Sequence, residues 1–281
     1  MATLGERLGH APDARLAIVN CDDFGSSHAA NLAILRALTQ GVATSATLMV
    51  PCPWAREAAR MATGHDVGVH LTLTAEYPGY RWRSLTGAVS LHDDDGFLPA
   101  TAAEAIARAQ PEDVRGECRA QIDQALAWGV DVTHLDSHMG VVQIDARLFE
   151  IYLDLAVEYR LPLRMFGART DRFLGFSGKA RTAGRGVLFA DHILDSWGGD
   201  TRNMLIAKLP QLADGVTEVF AHPVEDGAEL RGYDPDNPQS RVDDGLCFTD
   251  PATTALFDDA GVARISYRPL RELQRSGAPG N

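Results

Sequence analysis

Leu16-Ala17-Ile18-Val19-Asn20-Cys21-Asp22-Asp23-Phe24-Gly25-Ser26-Ser27-His28 is the stretch from which the rest of the chain is read. Leu16 to Val19 is a short apolar run of β-favouring residues, which predicts a buried strand. Two adjacent carboxylates, Asp22 and Asp23, stand at its C-terminal end. Gly25 then breaks the run, and Ser26 or Ser27 can cap the helix that follows. Neighbouring strand residues point to opposite faces. If both aspartates serve one site, the strand must already be turning there and the two have different jobs. Carboxylates a few ångström apart repel, and one of them is hard to keep ionised without a cation beside it. The plainer alternative is a helix-capping Asp next to a solvated one.

The chain has 281 residues, enough for one barrel-sized domain or two smaller ones. Its formal charge of −12, from 26 basic and 38 acidic residues, argues against nucleic acid or an anionic membrane as the main partner. No apolar run approaches the ~18 residues of a membrane helix. The first ten residues lack the apolar region of a signal peptide. Cys21, Cys52, Cys118 and Cys247 are far apart, with no C-x-x-C, so neither a disulfide framework nor a cysteine zinc site is expected. Reducing cytoplasm is the expected compartment.

Strands and helices alternate along the sequence. Strands are expected at 16–20, 44–50, 67–73, 130–138, 161–166, 216–222 and 262–267, and helices at about 27–40, 51–61, 101–109, 111–128, 145–160, 200–213 and 251–260. Residues 74–100 read as a long loop, 167–187 as a flexible basic loop, and 224–247 as polar turns. This pattern predicts an α/β protein built on a parallel sheet, most economically a single-domain, distorted TIM-like (β/α) barrel. A doubly wound sheet is the alternative. With no repeat and no linker, one domain is expected over 15–272, after a lead-in at 1–14 and before a tail at 273–281.

Asp22, Asp23, His70, His138 and His222 all fall at or near the C-terminal end of a predicted strand. In parallel α/β folds that edge carries the site, and histidine and carboxylate side chains converging there suit a divalent metal. His134 and His138 are four apart, a spacing that grips one ion on a helix. In a strand the same spacing spans about 13 Å, so one ligand is expected from the pair. His138 is nearer the edge, which leaves His134 buried or supporting. Asp136 can orient a ligand from behind or simply make a structural hydrogen bond. His222, before Pro223, reads either as a general acid or as a turn histidine. Tyr77, Tyr80 and Trp82 are able to stack on sugar rings, or are ordinary loop aromatics.

With Val19-Asn-Cys-Asp-Asp-Phe-Gly25, Val67-Gly-Val-His-Leu-Thr-Leu73 and Thr133-His-Leu-Asp-Ser-His138 in order, the sequence resembles the YdjC-like carbohydrate deacetylases, which include chitooligosaccharide deacetylases. The resemblance runs from Leu16 to Leu270. It implies a (β/α)-barrel-like fold and metal-dependent removal of N-acetyl groups from amino sugars. It further implies one divalent metal ion, Mg or Zn, held by Asp23, His70 and His138, with Asp22 as the base that activates water and His222 as the acid. The implied partner is a small N-acetylated sugar, with no nucleic acid and no membrane; a homodimer is allowed. Three positions depart from the family pattern. Cys21 stands where Ala is usual, Met139 to Gln143 where further histidines often follow, and Val224 where Gly follows His-Pro. Two other readings remain: hydrolysis of a different amide, ester or phosphate, and a catalytically silent sugar-binding barrel.

Overall fold

β1 (Arg15–Phe24) is the central strand, and its sequence shows why: it is buried along almost its whole length, and a strand covered on both faces reads as a continuous apolar run. The computed structural model describes residues 2–196 and 198–277. Parallel to β1 run β2 (Ser45–Leu48), β3 (Val67–Leu71), β4 (Leu135–Ser137), β5 (His192–Leu194), β6 (Gly215–Ala221) and β7 (Val262–Ile265). The sheet order is β4-β3-β2-β1-β6-β5, with β7 also on β1. One edge of β1 is shared in register: β7 pairs with Arg15 to Ile18, and β2 takes over from Asn20.

The α/β class with a parallel sheet is as the alternation predicts, and the sheet curls into a half-barrel. Beyond β4 the backbone continues the curl through isolated bonds. Leu135 N donates to Pro162 O and Arg164 N to Leu135 O, both at 3.0 Å, and Leu163 N donates to Leu188 O at 2.9 Å. The expected strand 161–166 is therefore reduced to a single bridge, Leu135↔Leu163, since Pro162 has no N–H to give a ladder. The expected strand 130–138 is likewise regular only over Leu135–Ser137.

Helices pack on the sheet. His28–Gln40 begins at Ser27, whose hydroxyl accepts from Ala30 N. Ala146–Tyr159 is capped by Asp145 and buries Leu148, Phe149, Ile151, Tyr152, Leu153 and Leu155. At about 1.5–3 kcal/mol per fully buried large side chain, this face alone fixes the helix on the sheet. Two expectations are corrected. The basic stretch 167–187 folds into helices Ala168–Leu174 and Gly178–Gly184, and Arg181 and Arg185 pair with Glu150 and Asp154 of the neighbouring helix. The polar stretch 224–247 holds helices Ala228–Tyr233 and Pro238–Thr249. At the N-terminus, Leu4–Arg7 is a short helix with a Thr3/Glu6 capping box, and Leu4 and Leu8 pack on a small cluster with Leu16, Val216 and Tyr267. No helix among the described residues is long and apolar enough to cross a membrane.

Candidate metal centre

The two aspartates of β1 reach one site because the strand bulges beneath them. Cys21 pairs with Ala46 and Phe24 with Leu48, so Asp22 and Asp23 together oppose Thr47. Asp23 has φ of +65°, a left-handed conformation that Asp tolerates better than most residues. Gly25 follows at φ +95°, and a Cβ there would stand 2.8 Å from Ala55 Cα, so only glycine fits the turn. Both carboxylates are buried.

His70 is the penultimate residue of β3 and His138 follows β4 immediately. These strands pair in register, His70 opposite Asp136, which brings both imidazoles beside Asp23. His138 Nδ1 lies 3.3 Å from His70 Nε2 and 3.3 Å from Asp23 Oδ1, and His70 Nε2 lies 3.5 Å from the same oxygen. Asp23 Oδ1 is buried and makes no hydrogen bond. Three donor atoms at these spacings are what one ion about 2.0–2.1 Å from each would subtend at near-tetrahedral angles. The far nitrogen of each ring faces a carboxylate. His70 Nδ1 donates to Asp136 Oδ1 at 2.5 Å, and His138 Nε2 to Glu76 at 3.0 Å. This is the backing that metal-binding histidines ordinarily have. Burial disfavours charge on both rings, but Asp136 beside His70 and Glu76 beside His138 outweigh it and raise them to about 9 and about 10. The pocket thus takes up positive charge, as protons or as an ion.

Asp22 sits in a second, adjoining cluster. Burial works against its charge, but Arg164 more than compensates and holds it at about 2. Arg164 Nη1 and Nη2 donate to the two Asp22 oxygens at 2.6 and 2.8 Å. The same guanidinium meets Asp136 Oδ2 at 2.9 Å and donates through Nε to Glu218 Oε1 at 2.8 Å. His222, just past β6, has Nε2 3.9 Å from Asp22 Oδ2, and its side chain is one-third exposed. All five residues expected from sequence therefore line one cleft of about 330 Å³. A trough of about 580 Å³ lies alongside and shares Gly198, Asn237 and Ser240 with it. His134 is buried apart from the donors: its ring stacks on Tyr267 at 3.7 Å, and its Nδ1 meets the Thr133 hydroxyl.

Sequence reasoning missed three residues here. Arg164 was legible as one charge inside the apolar run Leu161-Pro-Leu-Arg-Met-Phe166, since a buried charge needs a partner. Glu76 and Arg241 carry no local signal. Arg241, on the helix Pro238–Thr249, donates to Asp23 Oδ2 at 2.8 Å and to Asp234 at 3.2 Å. Arg164 and Arg241 between them face five acids, Asp22, Asp136 and Glu218 on one and Asp23 and Asp234 on the other, and Glu76 faces only His138, a deficit of positive charge that a divalent cation suits. With the Asp23 oxygen that makes no hydrogen bond and the two backed imidazoles, the donor set fits a metal.

Known proteins match the chain over nearly all its length. A family model described as YdjC-like protein matches residues 16–259. A carbohydrate deacetylase of Geobacillus stearothermophilus is 35% identical over 263 residues, which cover 92% of this chain and 99% of that protein. One of Thermus thermophilus is 43% identical over 156 residues, 56% of this chain and 55% of that protein. A crystal structure from Enterococcus faecalis V583, named for cellobiose-phosphate cleavage, superposes with a TM-score of 0.79 at 24% identity. That superposition covers 92% of this chain and 99% of the other, and it is a likeness of fold.

Proposed function

This chain belongs to the YdjC-like protein family, and from that premise we propose that it is a metal-dependent carbohydrate deacetylase. The reaction is hydrolysis of the acetamide of an N-acetylated amino sugar or short oligosaccharide, giving acetate and a free amine. The observation that carries the metal dependence is the buried Asp23 Oδ1, which makes no hydrogen bond and faces two imidazole nitrogens at 3.3 and 3.5 Å.

Asp23, His70 and His138 would hold one divalent ion, magnesium or zinc. When bound, such an ion supplies Lewis acidity, drawing charge onto the acetamide oxygen and making water more acidic. Asp22 is the base. The Arg164 fork keeps it ionised near neutral pH and fixes the direction of its oxygens, so it stands ready to accept the proton of the attacking water. His222, 3.9 Å from Asp22 and open to the cleft, delivers a proton to the departing nitrogen as the C–N bond breaks. Without that proton the amine is a very poor leaving group. Phe166, Phe220 and Met139 give the cleft an apolar wall for the acetyl methyl or a sugar face. The adjoining trough leaves room for a further ring. Residues 15–272 are read as one distorted (β/α) barrel domain carrying this site.

The test is substitution of each proposed ligand. Asp23→Ala, His70→Ala and His138→Ala are each expected to lose stoichiometric zinc and acetate release together. A variant that keeps both removes that residue from the site.

A further inference from the structure

The loop after β3 returns to the site it left. Ala75 is buried and its N–H donates to Pro99 O at 2.8 Å, which pins the return. The next two residues each reach one proposed ligand. Glu76 accepts from His138 Nε2 at 3.0 and 3.2 Å. The Tyr77 hydroxyl accepts from Arg241 Nη2 at 2.6 Å, while Nη1 of the same guanidinium donates to Asp23 Oδ2 at 2.8 Å. Tyr233 packs edge-on against the Tyr77 ring at 4.9 Å and keeps it in place.

An ionised carboxylate only accepts hydrogen bonds. When His138 gives up one of its two protons to an ion, Glu76 therefore keeps the other on Nε2 and leaves the lone pair on Nδ1. Asp136 does the opposite for His70, taking the Nδ1 proton and leaving Nε2 free. The two histidines thus present different nitrogens, each chosen by the carboxylate behind it. Arg241 occupies Asp23 Oδ2, which leaves Oδ1 as the oxygen facing them.

We infer that Glu76 and Tyr77 form one positioning unit, through which the 74–100 loop sets the atoms that His138 and Asp23 present to the ion. The inference rests on the reading of Asp23, His70 and His138 as metal ligands. Neither Glu76 nor Tyr77 is assigned a chemical step.

The experiment uses the full chain and zinc alone, with affinity measured by competition against a chromophoric chelator and the metal-free melting temperature measured beside it. Glu76→Ala is expected to weaken zinc binding by about 10–100-fold, the usual effect of removing a partner behind a metal-binding histidine. Glu76→Gln keeps an oxygen able to accept the Nε2 proton and is expected to fall between wild type and Glu76→Ala. Tyr77→Phe keeps the ring but removes the hydroxyl, and a smaller weakening is expected. The cobalt-substituted Glu76→Gln protein should show a shifted visible absorption band, a ligand-field change that loosened packing elsewhere does not produce. Wild-type zinc affinity in folded Glu76→Ala overturns the inference. So does an equal loss in all three variants that tracks a collapse of the metal-free melting temperature. A His70→Ala arm separates the two ideas. If it loses zinc while Glu76→Ala does not, only the loop inference fails. If it also keeps zinc, the metal reading itself fails.

Discussion

Arg164→Met tests the buried charge cluster on which the site is built. Arg164 is 3% exposed and faces three buried acids, Asp22, Asp136 and Glu218, at 2.6 to 2.9 Å. It also lies over the Phe220 ring at 4.3 Å. Removing one partner of a buried ion pair costs about 3–5 kcal/mol. The three losses do not add, because each acid keeps another partner: Asn20 for Asp22, Thr47 and His70 for Asp136, and the Tyr267 hydroxyl for Glu218. A loss of about 3–5 kcal/mol at pH 7.5 is therefore expected, against a typical total stability of about 5–15 kcal/mol. The pH dependence follows from the sign of the shift. In the wild type Asp22 is held at about 2, below its ordinary 3.8. Its stabilising contribution is thus present above 3.8 and lost as pH falls through about 2. Without Arg164 the burial of Asp22 is no longer offset, and Glu218, which burial already raises in the wild type, moves further up. The folded variant then takes up protons that the unfolded chain does not, so its deficit shrinks as pH falls toward 5. The assay is urea unfolding of both proteins with chelator present, followed by far-UV circular dichroism at pH 7.5 and pH 5.5. Comparison at each pH cancels the groups that Arg164 does not influence; buried His134, which Arg164 helps to hold low, is relieved in the variant and shrinks the deficit in the same direction. A deficit below about 1 kcal/mol at pH 7.5, or one that does not shrink at pH 5.5, refutes the reasoning.

Further expectations concern the chemistry and the frame. Asp22→Asn and His222→Ala should keep zinc stoichiometry and lose on the order of 10²–10⁴ in kcat, and a near-normal rate in either reassigns the role. In the metal-free protein His70 and His138 are raised to about 9 and about 10, so both hold protons at pH 7. Zinc binding should then release close to two protons there and weaken as pH falls. Calorimetry in buffers of different ionisation enthalpy counts them, and a count of zero contradicts the site. Tyr267→Phe removes the hydroxyl bonded to buried Glu218 and should cost about 1–3 kcal/mol by urea unfolding. Gly25→Ala forces a side chain into a left-handed turn against Ala55 and should destabilise by more than about 1 kcal/mol, with acetate release falling in step.

What could be read in the sequence was local. The apolar run before Asp22-Asp23, the valines around His70 and the apolar residues before His138 placed three strand ends, and parallel α/β sheets gather such ends on one edge. The adjacent aspartates themselves implied a strand turning, which the bulge and the φ of Asp23 supply. What could not be read was long-range or masked by composition. Arg164 meets Asp22 across 142 residues and Arg241 meets Asp23 across 218. No spacing announces such pairs. Gly227, Gly232, Pro235, Pro238 and Gly245 made 224–247 look like turns, although Pro238 is a helix-start residue at the first position of its helix. The glycines of 167–187 misled in the same way, because they separate two short helices whose arginines are tied to Glu150 and Asp154. The helix Leu4–Arg7 was hidden by its length, yet its Thr3–Glu6 box is a standard start signal.

The most direct test of the account is acetate release from a panel of N-acetylated sugars, monosaccharide to short chitooligomers. The wild-type chain would be assayed as purified, after chelation, and after magnesium or zinc is returned. The account predicts acetate from at least one sugar, its loss on chelation and its recovery with metal. Acetate release that survives complete removal of metal would contradict it.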